Sequence, residues 1–119
     1  MNQPPIPDRK RTALIFVQSK PNVFGDDFHS WLSYNFEVWL AFEREANKVW
    51  SRGSRHYSAR TIGEYLRHET ATREQTNWLQ FKLNNNTFPD LARLYSMFYP
   101  DRKGFFEFRY SPLSDRAVA

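Results

Sequence analysis

An asparagine triplet followed by a helix-forming segment holds the side chains best suited to chemistry in this chain. Asn84, Asn85 and Asn86 precede Thr87, and Arg93 follows within two helical turns. An asparagine amide can read adenine with two hydrogen bonds, and an arginine guanidinium can read guanine in the same way. Residues at the beginning of a helix in the DNA major groove are the ones that reach base edges. Asn85, Asn86 and Arg93 are therefore predicted base contacts, with turn and helix-cap chemistry as the alternative for the triplet.

Basic side chains elsewhere in the chain are suited to phosphate contact. A Lys or Arg that neutralises a backbone phosphate releases condensed counterions, whatever the base sequence. For Arg60 the alternative is a solvated helix face, because it lies at ion-pair spacing from Glu64. The predicted phosphate-binding residues are Arg9, Lys10, Arg11, Arg55, Arg60, Lys82, Arg102 and Lys103.

Catalytic and metal-binding patterns are poorly represented. The three histidines lack the spacing that zinc enzymes use, and the chain has no cysteine. Pro89-Asp90 and a later Glu107-x-Arg109 superficially resemble a metal-nuclease motif. Asp90, however, is expected in the first turn of a helix, where the helix dipole favours an acid anyway. We therefore expect no catalytic residue, no metal site and no cofactor.

Helices must position most of these side chains. Apolar residues at spacings of three and four mark the longest of them, and Gly53 is expected just beyond its end. Asp26 or Asp27 suits the N-cap of a short helix, and Ser58 suits the N-cap of another. The expected helices cover about residues 28–32, 35–51, 58–69 and 87–99.

Short strands and loops are expected between the helices. Residues 78–83 alternate with a period of two, which indicates a half-buried strand. Further strands are predicted at 12–18, 55–57 and 105–109, and a loop over 70–77. The result is a mostly helical α+β domain, winged-helix-like or helix-turn-helix-like with a short antiparallel sheet. Its two paired helices lie about twenty residues apart, so the usual turn of three or four residues must be elaborated.

Composition bounds the remaining possibilities. The 119 residues allow one domain with one core, and 17 basic against 13 acidic residues give a net charge of +4. Residues 1–20 and 52–82 each carry a net charge of +3, whereas residues 21–51 carry −3. The domain prediction is a basic, Pro-rich arm at 1–20, a globular domain at 21–110 and a loose tail at 111–119. The absence of cysteine fits a reducing compartment, and no apolar run is long enough to span a bilayer.

Residues 55–109 resemble a family of small phage- and prophage-borne proteins. That family shares a Tyr-Ser-Ala-Arg-x-Ile-x-Glu-x-Leu-Arg helix, which matches residues 57–67 here. It continues with Phe-Lys-x-Asn-Asn, Ala-Arg-Leu and Gly-Phe-Phe-Glu-x-Arg, which match residues 81–85, 92–94 and 104–109. The similarity covers about half of the chain. It implies a phage origin and a place inside the host cell, and it carries no activity or site with it.

These observations together predict a non-enzymatic, cytoplasmic protein of phage origin that binds double-stranded DNA, as a transcriptional or replication modulator. The alternative is a protein-binding inhibitor or modulator of a host enzyme, because an aromatic-rich surface suits a protein interface. No membrane partner is expected, and the oligomeric state stays open.

Overall fold

Helices form nearly all the regular structure in the residues that this computed structural model describes, which are 3–73 and 87–106. Within them, Tyr57 and Phe106 form one isolated parallel bridge, and no strand or sheet is present. The prediction of an α+β domain with an antiparallel sheet is therefore wrong for this part of the chain. The elements are α1 (Ile6–Ser19), α2 (Phe28–Tyr34), α3 (Phe36–Ser51), α4 (Ala59–Arg73), α5 (Thr87–Phe98) and a 3-10 turn at Pro100–Arg102.

The first helix replaces both the extended arm and the strand predicted at 12–18. Pro7 lies in its first turn, where the missing N–H costs no helical hydrogen bond. Ala13 and Val17, four residues apart, are both buried in the core. Packing of this face overrides the strand preference of a β-branched, apolar run. The expected arm is therefore a core helix from Ile6 onward.

Other strand predictions fail or lie outside the described residues. Residues 55–57 form an isolated bridge and not a strand, and there the Tyr57 N–H donates to the Phe105 carbonyl oxygen at 2.8 Å. Helix α4 continues through Arg73, where a loop was predicted. The predicted strand at 78–83 lies outside the described residues, and so do residues 107–109 of the strand predicted at 105–109. Because the described residues contain no sheet, they provide no support for the wing of the predicted winged-helix fold.

The four helices predicted from periodicity and capping are confirmed. Helix α3 begins within a residue of the predicted start, and Gly53 beyond its end has a φ of +100°. Ser58 caps α4, because its hydroxyl oxygen accepts a hydrogen bond from the Thr61 N–H at 3.2 Å. Asp27 occupies the N-cap of α2 but makes no side-chain capping bond.

A cluster of aromatic rings fills the core and fixes the orientation of α3. Phe42 on α3 lies 5.5 Å, centroid to centroid, from Phe106. Tyr95 on α5 meets the same Phe106 ring at 5.3 Å, edge to face. Trp39 and Ala46 are fully buried beside them. Because these residues hold one face of α3 in the core, the opposite face must point outward.

Helices α4 and α5 cross at Gly63. A Cβ atom at this position would lie 2.1 Å from Cε1 of Phe88, whose side chain is buried. The absence of a side chain at Gly63 therefore allows the two helices to approach closely.

We expect Gly63→Ala to lower the free energy of unfolding by about 1–2 kcal/mol. Overpacking against Phe88 costs about 1–3 kcal/mol, and the better helix propensity of Ala returns up to about 1 kcal/mol. Urea denaturation followed by circular dichroism measures the change. Arg60→Ala, at an exposed position of the same helix, is the control and should stay within about 0.5 kcal/mol.

A second variant identifies the cause. In Gly63→Ala/Phe88→Ala the new methyl group has room, so the double variant should lose less stability than the two single variants summed. Strict additivity, or a Gly63→Ala variant more stable than the parent, would contradict the close crossing.

Candidate functional site

An open groove of about 680 Å³ runs along the outward face of α3 and past the beginning of α1. Its α3 wall consists of two rows of residues, each spaced by four, which a helix places on one face. One row is Leu40, Arg44, Lys48 and Arg52, and the other is Glu43, Asn47 and Ser51; Gln3 and Arg9 complete the lining. Most of the lining residues are thus of polar type, with four basic side chains and one carboxylate.

Three exposed cations, Arg44, Lys48 and Arg52, form what we call the basic row. Glu45 lies beside it, with Oε2 3.4 Å from Nε of Arg44 and 3.1 Å from Nζ of Lys48. Such exposed pairs are worth about 0–1 kcal/mol, so a stronger anion can displace them. Arg52 has no ion-pair partner among the described residues. The structural alternative is that cations near the end of α3 only complement the helix dipole.

An ion pair with a buried carboxylate lies within the groove. Arg9 on α1 forms it with Oε1 of Glu43 on α3. The Tyr99 hydroxyl donates to the other carboxylate oxygen at 2.8 Å. Glu43 is 5% exposed, so these two partners replace the water that its charge would otherwise need.

Asn47, one turn beyond Glu43, extends this network to the 3-10 turn. Its Oδ1 accepts hydrogen bonds from the Tyr95 hydroxyl at 2.6 Å and from Nη1 of Arg102 at 2.8 Å. Its Nδ2 donates to the Tyr99 hydroxyl at 3.2 Å. Burial raises the pKa of both Tyr95 and Tyr99, which keeps their hydroxyls protonated and able to donate. Arg102 is therefore held at the edge of the groove.

Two predicted phosphate-binding arginines meet at the Trp50 ring. The Arg55 guanidinium carbon lies 3.9 Å from the ring centroid and that of Arg102 lies 4.8 Å away. Arg55 also donates to the Trp50 carbonyl oxygen at 2.9 Å. Cation–π contact orients both guanidinium groups without neutralising them. Lys103, the next residue in the chain, is exposed.

The structure thus brings together Arg9, Arg55 and Arg102 from the predicted set. Lys10 and Arg11 lie on α1, where Arg11 pairs with Asp8 at 3.4 Å. Arg60 is exposed at the beginning of α4 and does not line the groove. Lys82, Asn85 and Asn86 lie outside the described residues.

Arg93 is withdrawn from the surface, which removes it from the base-contact candidates. It is 6% exposed and its Nη1 lies 3.2 Å from Oδ1 of Asp90. The Gly25 N–H donates to the other Asp90 oxygen at 3.2 Å. Burial raises the pKa of Asp90 to about 6, although the Gly25 N–H and the Arg93 charge both oppose this. The pair joins α5 to the segment before α2 and has a structural role.

The basic row escaped sequence prediction, although its signal was present. Arg44, Lys48 and Arg52 recur at a spacing of four on a strongly periodic helical segment. The net charge of −3 over residues 21–51 concealed Arg44 and Lys48, because a net charge sums over all faces of the helix, and Arg52 was counted with the next segment.

Comparisons with protein-family models, with curated proteins and with solved structures found no match. The resemblance of residues 55–109 to phage proteins therefore stays a prediction. Within residues 3–73 and 87–106, no cluster of three or more acidic or histidine side chains could hold a metal ion. Among the helices of these same stretches, none has the length and apolar character needed to cross a bilayer.

Asp90 should make stability depend on pH between about 4 and 6. The pKa of Asp90 in the folded chain, about 6, exceeds the ordinary 3.8, so the folded state binds this proton more tightly. The resulting stabilisation is complete below pH 4 and is lost as pH rises through 6, by at most about 3 kcal/mol. We expect Asp90→Asn to lack this decline when unfolding free energies are measured at several pH values.

Asp26→Asn, which changes an exposed carboxylate, is the matched control and should keep the decline. Parallel pH profiles for the parent and Asp90→Asn would show that Asp90 titrates as an ordinary carboxylate.

Proposed function

We propose that this protein is a non-enzymatic DNA-binding protein whose groove along α3 contacts the phosphate backbone of duplex DNA. The observation that carries the proposal is the basic row, in which Arg44, Lys48 and Arg52 share one exposed helix face. Four residues of α-helix rise about 6 Å, a spacing similar to that of neighbouring phosphates along one strand. Arg55, Arg102 and Lys103 extend the positive surface beyond the end of α3.

The composition of the groove favours a polyanion over a protein partner. Among the nine lining residues, Leu40 is the one large apolar side chain. The centre of a protein interface is typically depleted of charge and anchored by buried aromatic residues. Phosphate binding requires no such anchor, because counterion release supplies most of its free energy.

Duplex DNA is favoured over a single strand for a related reason. Single-strand binding combines a basic groove with aromatic rings on which bases stack. None of the nine residues that line this groove is aromatic. Trp50, which lies between Lys48 and Arg52 in the chain, is covered by the Arg55 guanidinium. Backbone contact without stacking suits a duplex and predicts little dependence on base sequence.

The phage origin and the cytoplasmic location are proposals supported by the resemblance of residues 55–109, and a role in transcription or replication is a proposal that depends on DNA binding. A protein-binding modulator is the second candidate function. Tyr34, 81% exposed at the end of α2, favours it, because aromatic side chains are enriched at interfaces. A host-lysate pull-down separates the two functions, since a partner retained after nuclease treatment supports the second.

Replacing the basic row should abolish most DNA binding. We expect Arg44→Gln/Lys48→Gln/Arg52→Gln to weaken binding to a duplex of about 20 base pairs about 100-fold at low salt. The slope of log K against log salt concentration should fall by about 2–3, because each lost phosphate contact removes about 0.9. Fluorescence anisotropy of a labelled duplex at several salt concentrations measures both values.

The control removes the same charge from exposed positions outside the groove, as Arg11→Gln/Lys20→Gln/Arg60→Gln. It should change the affinity less than about fivefold. Equal losses in the two triple variants would mean that only net charge matters, and unmeasurable binding by the parent would refute the proposal. A labelled single strand of the same sequence should bind no more tightly than the duplex.

A further inference from the structure

Glu43, the one carboxylate among the residues that line the groove, lies beside the proposed phosphate path. Glu43 precedes Arg44 in the chain and belongs to the same wall as Asn47, one turn before it. Its side chain is 6% exposed, so little water screens its charge. A carboxylate here repels a phosphate bound to the basic row, and low effective dielectric strengthens that repulsion.

Arg9 is placed to cancel this charge. Its guanidinium pairs with Glu43, and its side chain is only 17% exposed. Arg44 and Lys48 differ from it, because their side chains are 57% and 51% exposed and their shared partner lies beside the row. Arg9 comes from α1, so the neutralisation exists only while α1 holds this side chain against Glu43.

We propose, building on the DNA-binding function above, that Arg9 is a positioning residue that neutralises Glu43 and does not itself contact phosphate. The affinity of the groove for a phosphate backbone then depends on the Arg9–Glu43 pair. Loss of Arg9 alone leaves an uncompensated negative charge beside the basic row, whereas loss of both side chains leaves the local net charge unchanged. A direct phosphate contact by Arg9 gives a different pattern.

Four proteins distinguish these patterns: the parent, Arg9→Gln, Glu43→Gln and the double variant. Binding is measured with the same labelled duplex over a range of salt concentrations. We expect Arg9→Gln to bind about tenfold more weakly than the parent. Glu43→Gln should bind several-fold more tightly, because Arg9 is released toward the phosphates. The double variant should return to within about threefold of the parent, with the same salt slope.

If Arg9 contacts phosphate directly, the double variant will bind more weakly than the parent, and its salt slope will be lower by about one. That result overturns the inference and leaves the proposed function standing. Unmeasurable binding by the parent at low salt refutes the proposed function and the inference with it. A purely structural pair would change unfolding free energies and leave the affinities of the folded variants equal, which also overturns the inference.

Folding of each variant is checked by circular dichroism and urea denaturation. Arg9→Gln leaves a buried carboxylate without its cation and is the variant most exposed to unfolding. Should it fail to fold, Glu43→Gln and the double variant still decide, because neither contains an unpaired Glu43. Tighter binding by Glu43→Gln together with parental binding by the double variant supports the inference, whereas equal affinities of the parent and both variants overturn it. In the Glu43→Gln variant the new amide oxygen can still accept the Tyr99 hydrogen bond, which preserves the rest of the network.

Discussion

The buried carboxylate of Glu43 is the constraint on which the arrangement of the helices depends. Taking a charge out of water is costly unless hydrogen bonds and an opposite charge replace the solvent. Here Arg9 on α1 supplies the opposite charge, and Tyr99, just beyond the end of α5, donates a hydrogen bond. Two separate parts of the chain must therefore meet at one side of α3. Asn47 repeats the requirement one turn later with Tyr95 and Arg102, so the hydrogen-bond network fixes the approach of the 3-10 turn as well.

The aromatic core sets the other face of the same helix. Trp39, Phe42 and Ala46 are buried, and the ring of Phe42 packs against Phe106. Because one face of α3 packs in the core, the row from Leu40 to Arg52 and the row from Glu43 to Ser51 line the groove. The proposed phosphate path is thus a consequence of the amphipathic character of α3, and the core and the groove are two faces of one helix. Cation–π contacts at Trp50 connect the end of that helix to Arg55 and Arg102.

Local sequence signals predicted the helices well and the strands poorly. Periodicity and capping residues identified α2, α3, α4 and α5, because amphipathic spacing and caps such as Ser58 act within a few residues. Helix α1 was missed since a β-branched run and three prolines resemble an extended segment. Whether Ala13 and Val17 reach the core depends on the positions of α2 and α5, and the local sequence of α1 carries no information about those positions.

The functional site was predicted only in part, because it too depends on contacts between distant segments. Residue type selected Arg9, which lines the groove, and Arg55 and Arg102, which meet at Trp50, but it gave no indication that Arg9 pairs with Glu43. Arg93 was chosen for its chemistry, although its spacing of three from Asp90 already indicated an ion pair on the helix. The spacing of charged residues along a helix predicts a charged surface better than the net charge of a segment does, because a folded helix places neighbouring residues of one segment on different faces.

Chemical-shift mapping with a short duplex shows where on the chain the phosphates lie. We expect the backbone amides of residues 44–52 and the Trp50 indole to shift together as duplex is added at low salt. Perturbations centred on α5, with residues 44–52 unmoved, would contradict the proposed phosphate path and would restore a recognition-helix mode of binding.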